Sequence, residues 1–382
     1  MSFLSYVIWD ANPDMFVFPD WLPFIGERPV RWYGLLFALG FLISQQIMFY
    51  IYRKEGKPEK DVETLTVYMV IATIIGARLG HVFFYEPDKY ISNPVDIIKI
   101  WEGGLASHGA AFGILFALWL YTRYDINWKM QVKKVKRPSQ NWLQVVDRIV
   151  IVVALTGCLI RLGNFMNSEI YGLPTDSGYG VIFAKNIDDT FLTQSSPIEA
   201  LEVVKDGERT IKNGKVPVIL QLTFKDQPEI LNEASLKKYL EGTFAGTISR
   251  NSYLHDHISI QDQKLQYNLR QNANGIFSAS IQVYGTARHP TQIYEASTSL
   301  AIAILLFMLW YRMKINTPDG LLLGIFLVLL FGLRFVHELF KENQVAFEDG
   351  LTFNMGQLLS IPLILAGVFI FLRSLNLKRG NA

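Results

Sequence analysis

The stretch IVIVVALTGCLIRLGNFMNSEIYG, residues 149–172, decides how the rest of the chain is read. Its first half is apolar enough for lipid. Its second half carries Arg161, Asn164, Asn167 and Glu169. A charged side chain inside a membrane span costs about 2.5–3.5 kcal/mol on insertion scales, so Arg161 needs a partner in the protein or in something the protein binds.

Composition supports a membrane setting. Half of the 382 residues are hydrophobic, 18% are charged, and the mean hydropathy is +0.22. A net charge of +2 gives no reason to expect a nucleic-acid partner. The single cysteine, Cys158, excludes an intramolecular disulfide and reads as packing within its apolar run. The start, MSFLSYVIWDANPDMF, lacks the basic opening of a cleaved signal peptide.

Seven stretches approach the roughly 20 residues that a helix needs to cross a bilayer. They are 32–52, 64–86, 104–122, 145–165, 294–312, 319–337 and 355–373. Basic residues favour one set of short loops, with Arg53, Lys54, Lys57 and Lys60, a second group from Arg123 through Lys129 to Arg137, then Lys314, Lys378 and Arg379. The positive-inside rule makes these loops cytoplasmic, the N-terminus outside and the C-terminus inside. The expected fold is an all-α polytopic membrane protein of about seven transmembrane helices with a small β-rich extracytoplasmic insert. Its regions are 1–172 with four spans, 173–287 as the insert, and 288–382 with three spans.

Within the insert, VPVILQLTF (216–224), HISIQDQKLQYNL (257–269) and GIFSASIQVYG (275–285) carry the pattern of strands. His255 and His257 would then share a strand face, but no third metal ligand accompanies them. No metal or redox cofactor is implied.

Because the chain reverses at each crossing, the polar residues of the spans collect on one side. These are Tyr33, Arg78, His81, His108, Arg161, Asn164, Tyr294, Glu295, Arg334, His337 and Glu338. Arginines converging there suit an anionic headgroup, since the guanidinium fork matches phosphate. The alternative is that they snorkel, or pair with Glu169, Glu295 and Glu338 as structural glue. His108, in GGLASHGAAFG, has small neighbours that permit close approach, and its imidazole can act as a base. His81 reads as structural. His289 precedes Pro290, so it belongs to a turn leading into Thr291 as a helix cap.

RLGNFMNSEIYG at 161–172 is similar to the signature of bacterial prolipoprotein diacylglyceryl transferases. So are RWYG at 31–34, GARLGHVFFY at 76–85, SHGA at 107–110, HPTQIYEA at 289–296 and RFVHELF at 334–340, in the family's order. The resemblance implies transfer of the diacylglyceryl group of phosphatidylglycerol to the lipobox cysteine in the signal peptide of a preprolipoprotein. A thioether forms and glycerol phosphate leaves. It also implies the bacterial cytoplasmic (inner) membrane, with the active site toward the outer leaflet. Carried over by motif, the functional positions are His108, Arg161 and Arg334 for catalysis, with Tyr33, Asn164, Glu169, Gly172 and Glu338 binding substrate. Arg78 joins the binding set on its charge and position.

The insert reads as longer than the family's usual one. Leu330 stands where the family has a tyrosine, and His337 where an apolar residue is expected. Another lipid-headgroup transferase would share this site logic without the 161–172 motif. An anion transporter would place its charges at mid-depth, often in paired sequence halves.

Overall fold

The computed structural model describes residues 6–22, 26–100, 103–126, 131–207, 214–227, 232–260, 264–342 and 352–380. The first five residues, Lys129 and part of the 257–269 stretch lie outside them, as do the side chains of Lys378 and Arg379. Three strands, β1 (Val7–Trp9), β2 (Asp14–Val17) and β3 (Pro29–Arg31), precede the long helices α1 (Trp32–Lys54) and α2 (Glu59–Phe84). A short α3 (Pro87–Ser92) leads to α4 (Ser107–Arg123), the hairpin β4 (Tyr124–Ile126) and β5 (Val132–Lys134), and α5 (Trp142–Met166). The long helices resume after the head with α10 (Thr291–Met313), α11 (Leu321–His337) and α12 (Met355–Gly380).

Among the described residues, six helices are long and apolar enough to cross a membrane: α1, α2, α5, α10, α12, and α11 with the 3₁₀ turn Glu338–Phe340 that extends it to 20 residues. The third expected span corresponds to α4, whose 17 residues reach only about 26 Å at ~1.5 Å per residue. That is short of the roughly 30 Å hydrocarbon core. Sequence hydropathy credited it with 104–106, which are not helical. Gly103 and Gly104 there have φ of 88° and 72°, a turn that fixes where α4 begins.

The contacts divide the chain into two units. One comprises Phe37–Leu159, Ser297–Phe335 and Gly356–Ala382. Its core packs Ile51, Leu65, Leu118, Tyr121, Ile149, Leu306, Trp310 and Leu322. Helices α2 and α4 meet backbone to backbone. A side chain on Gly80 would come within 2.7 Å of the Cα of Gly109, so only small residues allow this contact. Buried charge is fully partnered at Glu55, which accepts from Arg148 Nε (2.9 Å), Trp310 Nε1 (2.7 Å) and Lys57 Nζ (2.5 Å). Asp147 likewise accepts from the amides of Gly320 (2.7 Å) and Leu323 (2.8 Å). Cys158 is free and buried.

The second unit comprises Met1–Leu36, Ile160–Ala296 and Val336–Met355. Its head adds β6 (Val181–Phe183), α6 (Lys185–Phe191), β7 (Ile198–Lys205) and β8 (Lys215–Phe224). It continues through α7 (Glu233–Lys238), α8 (Ala245–Arg250), α9 (Ser252–His257), β9 (Ile258–Ser259), β10 (Gln266–Gln271) and β11 (Phe277–Thr286). The antiparallel sheet runs β10-β11-β8-β7, with β9 also on β11. Alternate residues Val216, Val218, Leu220, Leu222 and Phe224 face a core closed by Ile187, Leu236, Phe244 and Leu254 from the helices. The expected β-rich region is therefore present, with strands Lys215–Phe224 and Phe277–Thr286 over two of the runs that carry the strand pattern.

The histidine pair is a correction. His255 and His257 belong to α9, not to a strand, so two positions apart they do not share a face. Asn251 supplies the reason: its side chain accepts from the amide of Leu254 and caps this turn. His257 is buried and hydrogen-bonds the Tyr171 hydroxyl (3.0 Å). Burial, with Arg288 and Lys215 nearby, pushes it down to about 3, so it is neutral.

Candidate functional site

The 161–172 motif begins in the last turns of α5 and leaves it through a reversal. Ser168 and Ile170 both take positive φ, 54° and 58°. For a β-branched residue this backbone is strained, so surrounding contacts must hold it. Gln292 Nε2 donates to the Glu169 carbonyl (2.7 Å) and the Thr291 hydroxyl to the Ile170 carbonyl (3.0 Å). Thr291 thus fastens the motif instead of capping its own helix. The Gly172 amide donates to the His289 carbonyl (2.9 Å) and the Leu173 amide to the Phe340 carbonyl (2.8 Å). Gly172 has no room for more: a Cβ there would lie 2.4 Å from the Phe340 carbonyl oxygen.

This scaffold sets out a chain of polar side chains. Arg161 Nη1 donates to Asn164 Oδ1 (3.3 Å), and Asn164 Nδ2 donates to Glu169 Oε1 (2.8 Å). Asn167 Nδ2 donates to the same oxygen (3.2 Å). Arg161 Nε contacts Glu295 Oε2 at 2.5 Å. The other Glu295 oxygen pairs with Lys341, which also lies 3.4 Å from Glu338. Glu338 accepts from Asn354 Nδ2 (3.2 Å). The arginine side chain keeps 25% of its exposure while Glu295 keeps 9%, so the carboxylate anchors and the guanidinium meets the surroundings. Tyr33 packs across Gly163, where an added Cβ would lie 3.0 Å from the Tyr33 Cα. Beside it a groove of about 460 Å³ is lined by Pro29, Val30, Arg31, Tyr33, Gly34, Leu35 and Asn167.

One unit therefore holds Arg161, Asn164, Glu169, Gly172, Tyr33 and Glu338, and the other holds Arg78, His108 and Arg334. His108 is the second residue of α4, its ring 5.2 Å from Phe84 and 5.8 Å from Tyr85. Arg334 is half-buried in the last turns of α11. Arg78 is buried and donates to the carbonyls of Asp96, Ile97, Gly103 and Gly104. His81 lies 3.5 Å from Glu86 and stacks on Tyr85, in keeping with a structural part. His289 bonds the Tyr294 hydroxyl (3.0 Å) in its turn.

Two residues went unselected in the sequence. Lys341 follows the RFVHELF motif directly, and the ELFK spacing puts it one turn after Glu338. Arg288 is buried under the motif, donating to the Gly172 carbonyl (3.2 Å) and to the Asp256 carbonyl (3.0 Å). It also pairs with Glu342 and lies 4.8 Å over the Tyr171 ring. Nothing in its local sequence marks these distant partners. Among the described residues, no group of three or more His, Cys, Asp or Glu is placed to hold a metal ion.

The family model for prolipoprotein diacylglyceryl transferase matches residues 21–373. The chain belongs to that family. A relative from Tolumonas auensis, named phosphatidylglycerol--prolipoprotein diacylglyceryl transferase, is 34% identical over 97% of this chain and 99% of its own length. Relatives of the same name from Chloroherpeton thalassium and Porphyromonas gingivalis are 32% and 31% identical, each over 98% of this chain and 97% of their own.

Proposed function

We propose that this transferase moves the diacylglyceryl group of phosphatidylglycerol to the lipobox cysteine thiol of preprolipoproteins. The observation that carries the reading is the arginine of the family motif, half-open and fixed through Nε by a buried glutamate. In the proposed reaction the thiol sulfur bonds to the glycerol carbon that carries the phosphate ester. The carbon–oxygen bond to phosphate breaks, and glycerol phosphate departs with the electron pair. A thiol of pKa ~8.5 is only a few per cent ionised at pH 7, so it benefits from a base. His108 is assigned to take that proton. Negative charge on the departing phosphate is met by Arg161 and Arg334, fixed donors in a water-poor setting.

Asn164 adds a neutral donor. Glu169 orients Asn164, and Glu338 steadies Lys341. Tyr33 and Gly172 shape the site. Arg78, its donors committed to backbone carbonyls, is assigned to structure and not to the headgroup. The proposed topology keeps the N-terminus outside, with α4 completing a seventh, thinner crossing. It puts the polar cluster toward the outer leaflet of the cytoplasmic membrane, where lipid and signal peptide meet. Phosphatidylglycerol labelled in its headgroup tests the bond that breaks. Label should leave as glycerol phosphate, one for each peptide modified. Label retained on the peptide would overturn the assignment.

A further inference from the structure

The head reaches the 161–172 motif through a buried side chain to which the transfer chemistry gives no part. Arg288 lies just past the end of β11 and is 2% exposed. Its backbone is woven into the head. The Arg288 amide donates to the Val181 carbonyl (2.9 Å), and the Val181 amide donates back to the Arg288 carbonyl (2.9 Å). Val181 opens β6, which pairs in parallel with β1. One residue earlier, Ala287 accepts from the Thr175 amide (2.8 Å) and donates to the Gly214 carbonyl (2.9 Å). Strands on both sides therefore set where Arg288 stands.

Its side chain is committed elsewhere, to three other stretches of the same unit. Nη1 donates to the Gly172 carbonyl (3.2 Å) and to Glu342, and Nη2 donates to the Asp256 carbonyl at the end of α9 (3.0 Å). Nε finds no partner among the described residues. The guanidinium lies 4.8 Å over the ring of Tyr171, whose hydroxyl bonds the buried His257 (3.0 Å). The last two residues of the motif thus rest on Arg288, one by its ring and one by its carbonyl. A buried cation that lost these partners would be left uncompensated, so its aim is fixed.

What Arg288 holds is a turn that needs holding. Ser168 and Ile170 take positive φ, 54° and 58°, and such backbone persists where its surroundings over-determine it. Two carbonyls of the turn are held from α10, Glu169 by Gln292 (2.7 Å) and Ile170 by Thr291 (3.0 Å). The carbonyl of Gly172, where the turn ends, is held by Arg288 (3.2 Å). The turn carries Glu169, whose carboxylate accepts from Asn164, and Asn164 accepts from Arg161. A slip at Gly172 would pass along these bonds to the arginine assigned to the phosphate.

We infer that Arg288 is a positioning residue: it ties the Gly172 end of the strained turn to the head and so sets the aim of Glu169, Asn164 and Arg161 at the reacting centre. This rests on the transferase reading above. The head then serves the transfer as a brace, through a buried guanidinium that does not itself meet the phosphate.

Arg288→Lys tests this in the full-length protein, in phosphatidylglycerol-containing nanodiscs with a lipobox peptide. One ammonium keeps a charge for Glu342 but cannot reproduce the planar fork that spans two carbonyls. Turnover should fall about 10²-fold with KM little changed, the effect of a ~1 Å misplacement on a group that acts in the transition state. Hydrogen exchange should quicken at the amides of Glu169, Gly172 and Leu173 and stay slow through β8 and β11. Wild-type turnover in Arg288→Lys would overturn the positioning role. So would exchange that rises through the strands as much as in the motif, because Arg288 would then merely hold the head together. Glu342→Gln keeps both carbonyl bonds and should turn over close to wild type; a loss equal to that of Arg288→Lys would overturn the role, since the ion pair would then be what counts. Should Arg288→Lys fail to fold, Arg288→Gln carries the same comparisons, because it leaves no buried cation unpaired. If the wild type transfers nothing, the transferase reading falls, and exchange at the motif amides still decides the brace.

Discussion

Replacing Glu295 with glutamine isolates what the anchored arginine contributes. The substitution keeps the shape and removes the charge between Arg161 and Lys341. A unit pair with ~4 Å between charge centres is worth about 4 kcal/mol at an effective dielectric constant near 20. The 2.5 Å contact from Arg161 Nε to a carboxylate keeping 9% of its exposure is of that class. Lys341 retains Glu338 at 3.4 Å, so the uncompensated charge falls mainly on Arg161. Breaking a buried pair by removing one partner costs about 3–5 kcal/mol. That is a sizeable share of the 5–15 kcal/mol that holds a typical protein folded.

Catalysis should split into two opposite effects. The site gains net positive charge, so an anionic lipid binds more tightly and KM falls. The guanidinium loses its aim, and a misplacement of ~1 Å is enough for a roughly 10²-fold loss in turnover. Kinetics in phosphatidylglycerol-containing nanodiscs, with thermal unfolding in the same discs, measure both. Lower KM with kcat down about 10²-fold is expected. A Glu295→Gln protein with wild-type kcat and KM would refute the idea that Glu295 positions Arg161 for the leaving phosphate.

Other perturbations separate chemistry from scaffold. His108→Gln should cost about 10²–10⁴ in kcat and remove the acid limb of the kcat/KM profile, as loss of a general base does; a surviving limb would assign the base elsewhere. Gly172→Ala forces a Cβ against the Phe340 carbonyl, and overpacking of this kind costs about 1–3 kcal/mol, read as a lower unfolding temperature with lost turnover. Burial and the neighbouring Asp10 push Asp188 up from 3.8 to about 7, so the folded head holds a proton that the unfolded chain releases between those values. That contribution is full below pH 3.8 and is lost as pH rises through about 7. Asp188→Asn should abolish this slope in hydrogen exchange of the head. What remains is the opposite trend from His257, which is depressed from 6.5 to about 3 and loses stability as pH falls through that window.

Much of the architecture is written in local pattern. Apolar runs near 20 residues announce α1, α5, α10 and α12, and alternation announces β8 and β11, because both signals arise within one element. The failures come from partners far along the chain. Strand alternation near His257 gives way to a helical turn because Asn251 caps it. The role of Arg78 depends on carbonyls 18 to 26 residues away, which charge alone does not reveal. Lys341 joins the site through Glu295, and Arg288 through the Gly172 carbonyl, contacts with no sequence spacing to advertise them. The bonds that join Arg161, Asn164 and Glu169 close within one motif, so their grouping is local in the sequence.

The central claim is that Arg161 serves the transfer of a diacylglyceryl group to a lipobox thiol. The most direct measurement incubates purified protein, in phosphatidylglycerol-containing micelles, with a lipobox peptide. Mass spectrometry then looks for a diacylglyceryl adduct on the peptide cysteine, with wild type and Arg161→Ala in parallel. The account predicts an adduct from wild type and at least a ~10²-fold slower one from the variant. An equal adduct from both would reduce Arg161 to scaffold, and no adduct from folded wild type would contradict the function itself.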